Sequence, residues 1–273
     1  MKLFVVLCVC EAVVAGGVLD LTVDELECGI EASTNPLHRE PWMVHLEYYR
    51  RGALADMRCG GTLIGRRHVL TAAHCVSKAA GASKATSIMA RLGEYDLSSQ
   101  QDCVEGVCAH LPVKINVVAV TIHPLYDGRD HDVAILTLAI DAPYTETIRP
   151  VCLPSGGLPE DAILTASGWG EDFTKGIYSD VKKHLELPYW SPPKCQKAYQ
   201  NLLLPKPIVC AGGEKDIDTC RGDSGGPLTW GVERRELWGV TSTGNVICGT
   251  KGFPGIYTSV VHHLEWIKEA MEK

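Results

Sequence analysis

The chain has 273 residues, and 45% of them are hydrophobic, which is enough to bury a sizeable core without a bound cofactor. Lysine and arginine together number 26 against 33 acidic residues, so the formal net charge is −7. The basic residues form no tract. We therefore expect no binding to nucleic acid and none to an anionic membrane.

The first fifteen residues have the pattern of a secretory signal peptide. Lys2 precedes an apolar run from Leu3 to Cys10, and small residues follow with a plausible cleavage site after Ala15. Glu11 interrupts the run, which is in any case too short to span a bilayer. We predict a signal peptide over residues 1–15 and a secreted, extracellular protein.

The cysteine count agrees with export. Twelve cysteines are present, and removal of Cys8 and Cys10 with the signal leaves ten. An even number of spaced cysteines in an exported chain predicts disulfides, five here, rather than metal ligands. The mature chain contains no Cys-x-x-Cys pair, which further weakens the zinc alternative, and we expect no metal site. Spacing alone does not assign the pairs.

Short strand-like runs alternate with turns rich in Gly, Pro, Asn and Asp along the chain. In order these runs are Val44–Glu47, Thr62–Ile64, Val117–Ile122, Val133–Leu138, Ala162–Ala166 and Trp238–Val240. Short strands at such spacing favour an all-β barrel or sandwich over parallel βαβ units.

Three segments carry groups suited to acyl transfer. Leu70–Cys75 places His74 in a small-residue turn after an apolar run, and Asp130–Leu136 places Asp132 just before a buried-looking strand. Gly222–Pro227 holds a serine in a glycine-rich turn, where backbone N–H groups can converge on an oxyanion. A lone histidine or aspartate is usually structural. The order His, Asp, Ser instead indicates one of the known catalytic triads.

From about Glu40 to the C-terminus the chain resembles the trypsin-like (chymotrypsin-fold) serine proteases. The matching blocks are Pro41–Val44, Cys59–Ile64, Arg149–Pro154, Ser167–Gly170, Pro254–Thr258 and an amphipathic C-terminal helix ending in Trp266–Ile267. The resemblance implies an all-β domain over residues 41–273, with two six-stranded antiparallel β-barrels and a C-terminal α-helix.

The resemblance also implies the roles of the site residues. His74 would be the general base, Asp132 its orienting acid and Ser224 the nucleophile. The N–H groups of Gly222 and Ser224 would form the oxyanion hole.

The residues around the serine suggest which bond is cleaved. Asp218 stands six residues before Ser224, where trypsin-like members carry an acid at the base of the primary pocket. Gly244 and Gly255 match positions that leave the pocket entrance open. We expect cleavage after Arg or Lys, because a buried carboxylate favours a cationic side chain.

The resemblance implies the disulfide partners as well. Its expected pairs are Cys59–Cys75, Cys195–Cys210, Cys220–Cys248 and Cys28–Cys152, and Cys103–Cys108 is then left over as a staple of one loop.

That last loop resembles the extra loop bridge of arthropod clip-domain proteases, which act in immune and developmental cascades. An ordinary loop staple is the alternative reading, and we expect residues 16–40 to be too few for a clip module. Glu94 and Glu105 are candidates for a calcium loop, although no cofactor is required. We expect a monomer with protein or peptide substrates, serpin-type inhibitors and other cascade proteases as partners.

The activation motif of the family is missing. Family members are zymogens in which cleavage after Arg or Lys frees an Ile-Val-Gly-Gly terminus that pairs with the acid beside the serine, here Asp223. In the activation-like segment 16–40, Ile30 is preceded by Gly29, and a cut after Arg39 would expose Glu40. Three hypotheses stay open: a missing activation segment, an unusual activating protease, or a non-catalytic homologue that acts as a binding cofactor.

Overall fold

A computed structural model describes residues 27–77, 85–200 and 202–272. The strands of the first half are β1 (Met43–Arg50), β2 (Ala53–Leu54), β3 (Cys59–Gly65), β4 (His68–Thr71), β5 (Ser87–Leu92), β6 (Cys103–Val104), β7 (Val107–Cys108), β8 (Val113–Ile122) and β9 (Ala134–Leu138). The strands of the second half are β10 (Ile163–Gly168), β11 (Glu171–Asp172), β12 (Ile177–Tyr178), β13 (Lys183–Trp190), β14 (Ile208–Gly212), β15 (Pro227–Trp230), β16 (Glu236–Thr243) and β17 (Pro254–Ser259). Two α-helices are α1 (Pro192–Ala198) and α2 (Leu264–Met271), and short 3₁₀ turns cover Pro36–His38, Ala73–Cys75 and Val261–His263.

The strands form two closed antiparallel barrels. In the first, the order is β1-β3-β4-β9-β8-β5, with β5 pairing back onto β1 and β2 extending β1 as a hairpin. In the second, the order is β10-β13-β14-β17-β16-β15, and β15 pairs back onto β10. The prediction of two six-stranded barrels with a C-terminal helix is confirmed.

Each barrel encloses its own apolar core. Leu70, Ile135 and Leu136 are fully buried in the first, and Leu164, Leu228 and Tyr257 in the second. β9 is a nearly continuous apolar run because it lies between β4 and β8, with a buried face inside the barrel and a covered face outside.

The C-terminal helix joins the two halves of the chain. α2 follows the last strand of the second barrel, yet Ile267 and Ala270 pack into the core of the first. Their spacing of three residues places both on one helix face. The helix therefore anchors the end of the chain across the domain.

The described residues contain five disulfides, and these join the pairs that the resemblance implies: Cys28–Cys152, Cys59–Cys75, Cys103–Cys108, Cys195–Cys210 and Cys220–Cys248. The predicted signal peptide lies outside the described residues. Within them, no helix has the length and apolar character needed to cross a membrane.

Candidate active site

His74 and Asp132 meet because their strands are paired. In the β4–β9 ladder Thr71 faces Ala134, so the turn after β4 and the residues before β9 lie at the same end of the sheet. The His74 Nδ1 atom lies 2.7 Å from Asp132 Oδ2, and the His74 backbone N–H donates to Oδ1 at 2.8 Å. Asp132 thus fixes both the ring and the main chain of the histidine.

The carboxylate of Asp132 is held by the second barrel as well. Ser242 Oγ, on β16, donates to Asp132 Oδ2 at 2.6 Å, and Thr258 Oγ1, on β17, donates to the Asp132 carbonyl at 2.9 Å. Burial by itself would raise the pKa of Asp132, but hydrogen bonds and charge from His74, with the bond from Ser242, hold that pKa below its usual range. Sequence reasoning missed Ser242, because its role depends on a contact with a residue 110 positions away and no local motif marks it.

Ser224 lies where the two barrels touch. Its carbonyl accepts from Gly60 N–H on β3 at 2.8 Å, and Cys75 Sγ lies 3.6 Å from that carbonyl and 3.7 Å from His74 Nε2. A side chain at Gly225 would collide with Gly60 and the Thr71 hydroxyl, so glycine is required there. Among the hydrogen bonds of the described residues, none joins His74 Nε2 to Ser224 Oγ.

The turn before the serine has the geometry of a type II turn. Asp223 N–H donates to Cys220 O at 3.0 Å, and Gly222, the third residue, has φ +94°. A residue with a Cβ would favour the type I turn, in which the Arg221–Gly222 peptide plane is reversed. Within the described chain, neither Gly222 N–H nor Ser224 N–H donates to a protein acceptor, so both are available to an oxyanion.

Asp218 and the two pocket glycines lie together. A Cβ on Gly255 would lie 3.0 Å from Asp218 Oδ1, and one on Gly244 would lie 3.9 Å from the Gly255 Cα. Asp218 Oδ2 accepts from Gly249 N–H at 3.1 Å, whereas buried Oδ1 has no hydrogen-bond partner in the described structure. Burial, opposed by backbone hydrogen bonds, raises the pKa of Asp218 to about 6. This carboxylate can accept a cationic ligand.

Asp223 is held by backbone amides. Its carboxylate accepts from Gly170 N–H at 2.8 Å and Cys220 N–H at 2.9 Å, and no described residue forms a salt bridge with it. Burial raises its pKa to about 6 despite these bonds. A cavity of about 300 Å³ adjoins it, lined also by Asp218 and Lys183.

The two carboxylates proposed for calcium have different surroundings. Glu94 is buried and ion-pairs with Arg91, and burial raises the pKa of Glu94 to about 7. Glu105 is exposed at the tip of the β6–β7 hairpin. Calcium binding stays a prediction.

The sequence profile of the trypsin family matches residues 30–267, which is most of the chain. Together with the double barrel, this match shows that the chain belongs to the trypsin family of serine proteases.

Among its relatives are insect proteins of clip-domain type. Phenoloxidase-activating factor 3 of Holotrichia diomphalia is 39% identical over 90% of this chain and 75% of the relative. Spaetzle-processing enzyme of Drosophila melanogaster is 36% identical over 85% of this chain and 63% of the relative. CLIP domain-containing serine protease B8 of Anopheles gambiae is 36% identical over 84% and 62%. These matches confirm the resemblance to clip-domain proteases.

Replacement of Ser242 by alanine should destabilise the fold in a pH-dependent way. The low pKa of Asp132 means that its carboxylate contributes stability above its ordinary value of 3.8, and this contribution is lost as the pH falls through the lower folded-state value. We expect S242A to lose about 1–3 kcal/mol at pH 7 in guanidinium unfolding, and less at pH 3.

Ser155 provides a matched control, because its hydroxyl also donates to a carboxylate, Glu236, at 2.6 Å but on the exposed surface. S155A should change the free energy of unfolding by no more than about 0.5 kcal/mol. Equal losses in the two variants, or a loss in S242A that is the same at both pH values, would contradict the account of Asp132.

Proposed function

We propose that this protein is a secreted serine endopeptidase that hydrolyses peptide bonds after Arg or Lys through an acyl-enzyme. The observation that carries the proposal is the His74–Asp132 pair, in which Nδ1 lies 2.7 Å from Oδ2. The backbone carbonyl of Ser224 lies close by, 3.6 Å from the Sγ atom of the next residue, Cys75. Membership of the trypsin family supports the reaction class.

In the proposed mechanism Ser224 Oγ attacks the scissile carbonyl while His74 Nε2 takes the serine proton. Asp132 holds Nδ1 protonated, so Nε2 is the basic nitrogen, and it stabilises the imidazolium that forms. The Gly222 and Ser224 N–H groups bind the developing oxyanion. His74 then protonates the leaving amine. In the second half of the reaction His74 takes a proton from water, the water attacks the acyl-enzyme carbonyl, and His74 returns the proton to Ser224 as the acid product leaves.

The proposed specificity comes from Asp218. The buried Oδ1 of Asp218 lacks a hydrogen-bond partner within the described residues, and burial raises the pKa of Asp218, so its charged form is less stable than that of an exposed aspartate. An arginine or lysine side chain would supply that cation and offset the burial of the carboxylate. A neutral side chain would leave the acid unpaired.

The proposed setting is an extracellular proteolytic cascade. The names of the relatives describe activation of phenoloxidase and processing of Spaetzle, which are actions on proteins. For this chain we infer protein substrates and serpin-type inhibitors. We also infer that residues 1–15 direct its export and are then removed.

The proposed activation involves the chain before Ile30 and the buried carboxylate of Asp223. Gly29 N–H donates to Pro150 O, Arg235 N–H donates to Gly29 O, and Cys28 is bonded to Cys152, so the chain before Ile30 is fixed at that point. We infer that the peptidase reaches full activity once a cation pairs with Asp223.

An arginine-mimicking phosphonate ester tests the proposal through Ser224 labelling. The protein is treated before and after limited proteolysis, and the adduct is located by mass spectrometry. We expect one adduct per chain on Ser224, with roughly 10⁶-fold less turnover in S224A. S98A, which changes an exposed serine of the loop after β5, should label normally.

Absence of Ser224 labelling both before and after limited proteolysis would overturn the proposal. The alternative of a non-catalytic homologue would then hold if the protein bound partner proteins and S224A bound them equally well.

Substitution of Asp218 by serine tests the specificity separately. Loss of one partner of a buried ion pair costs about 3–5 kcal/mol, so kcat/KM for arginyl esters should fall roughly 10²–10⁴-fold in D218S. Labelling by an uncharged organophosphate should change little. D216S, at a nearby exposed acid, is the control. Unchanged preference for arginyl over neutral esters in D218S would show that the pocket is wrongly assigned.

A further inference from the structure

Three histidines that the proposed mechanism does not use lie close together, and one of them is the residue directly before Asp132. They are His123, just after β8, His131, just before Asp132, and His263, just before α2. One ring nitrogen from each lies within 4.8 Å of those of the other two. His123 and His263 are buried, and His131 is partly exposed, so the cluster has one open side.

Two of the nitrogens already have the separation of metal ligands. His131 Nδ1 lies 3.1 Å from His263 Nε2. Tetrahedral Zn–N bonds of about 2.0–2.1 Å place neighbouring ligand nitrogens about 3.3 Å apart. An ion could therefore take the place of the proton between these rings, provided that each ring turns so that its lone pair points off the N···N line toward the ion.

The tautomer of His263 suits a ligand. Its Nδ1 lies 2.6 Å from the Ser259 carbonyl, so Nδ1 carries the proton and Nε2 presents a lone pair. A backbone carbonyl that accepts the second ring N–H is the usual support of a metal-bound histidine, because it fixes the ring and raises its basicity.

His123 is the ring that would have to turn. It stacks on His131 with ring centroids 4.8 Å apart and planes 7° apart, so their lone pairs run parallel rather than converge. Its Nδ1 accepts one long hydrogen bond, from Leu125 N–H at 3.3 Å.

We propose that His123, His131 and His263 bind one divalent transition-metal ion, for which Zn²⁺ is the best candidate, and that water is the fourth ligand. Three imidazoles favour zinc over calcium or magnesium, which take oxygen ligands. The other cysteine and histidine group, around His74, offers no such site because Cys59 and Cys75 are bonded to each other.

The site has a regulatory position. His131 holds a left-handed backbone at φ +54° and precedes Asp132 directly, while Ser259, which orients His263, follows Thr258, which holds the Asp132 carbonyl. An ion here would join the loop that carries Asp132 to the chain after β17. Metal binding would thus stiffen the surroundings of the carboxylate without touching His74.

Equilibrium dialysis and calorimetry with ZnCl₂ on the purified disulfide-bonded protein test the proposal, and neither readout requires peptidase activity. We expect one Zn²⁺ per chain at micromolar affinity or tighter, and a melting temperature raised by about 5 °C or more at a hundredfold excess over Kd. H131N should weaken binding at least 50-fold. H262N is the matched control, since His262 is exposed and contacts Ser259 Oγ instead of its carbonyl. H262N and H74A should both bind normally.

A second measurement covers the case in which H131N does not fold. The ring centroids of Trp266 and His123 lie 4.8 Å apart, so Co²⁺ binding should quench the fluorescence of Trp266. In W266F the quenching that is due to Trp266 should be lost. Absence of stoichiometric Zn²⁺ binding, or binding lost in H74A and kept in H131N, would overturn the proposal, as would quenching that is unchanged in W266F.

Discussion

The contact on which the site depends is the one between a buried carboxylate and an imidazole. Asp132 is 5% exposed and accepts hydrogen bonds from both the ring and the backbone of His74 and from Ser242. Such a group is stable in charged form only while these donors stay in place. The pairing of β4 with β9 supplies the first two donors and β16 of the other barrel supplies the third. Both barrels therefore contribute to keeping the Asp132 carboxylate ionised.

Two other carboxylates lack this compensation. Burial raises the pKa values of Asp218 and Asp223 to about 6, and backbone amides are their donors. Because burial raises these pKa values, each carboxylate in its charged form lowers the stability of the fold near neutral pH. Under the proposed function, Asp218 would be compensated by a cationic substrate side chain and Asp223 by a cation that pairs with it on activation. Uncompensated acids of this kind are typical of sites whose ligand completes the structure.

The sequence predicted the parts of the molecule that carry local signals. The turns around His74, Asp132 and Ser224 show their chemistry in a few residues each, and the disulfide partners followed from the family resemblance. Four strands of the second barrel, β13, β14, β15 and β17, were not predicted from pattern. β17 begins with Pro254 and Gly255, which local propensity disfavours, and pairing with β14 and β16 overrides that propensity.

Other features depend on contacts between distant segments. Ser242 acquires its role from the packing of β16 against the segment of the first barrel that carries Asp132, and no local motif marks it. The histidine cluster draws on positions 123, 131 and 263, each of which alone looks like an ordinary core or surface histidine. Residues this far apart in the chain become a candidate site when the two barrels and α2 pack together.

The most direct test of the account is proton NMR of the hydrogen shared by His74 Nδ1 and Asp132. A short bond to a buried carboxylate should give one strongly low-field resonance that persists in S224A and disappears in D132N while the fold is retained. A spectrum without that resonance, or one in which it survives D132N, would contradict the claim that Asp132 holds the ring.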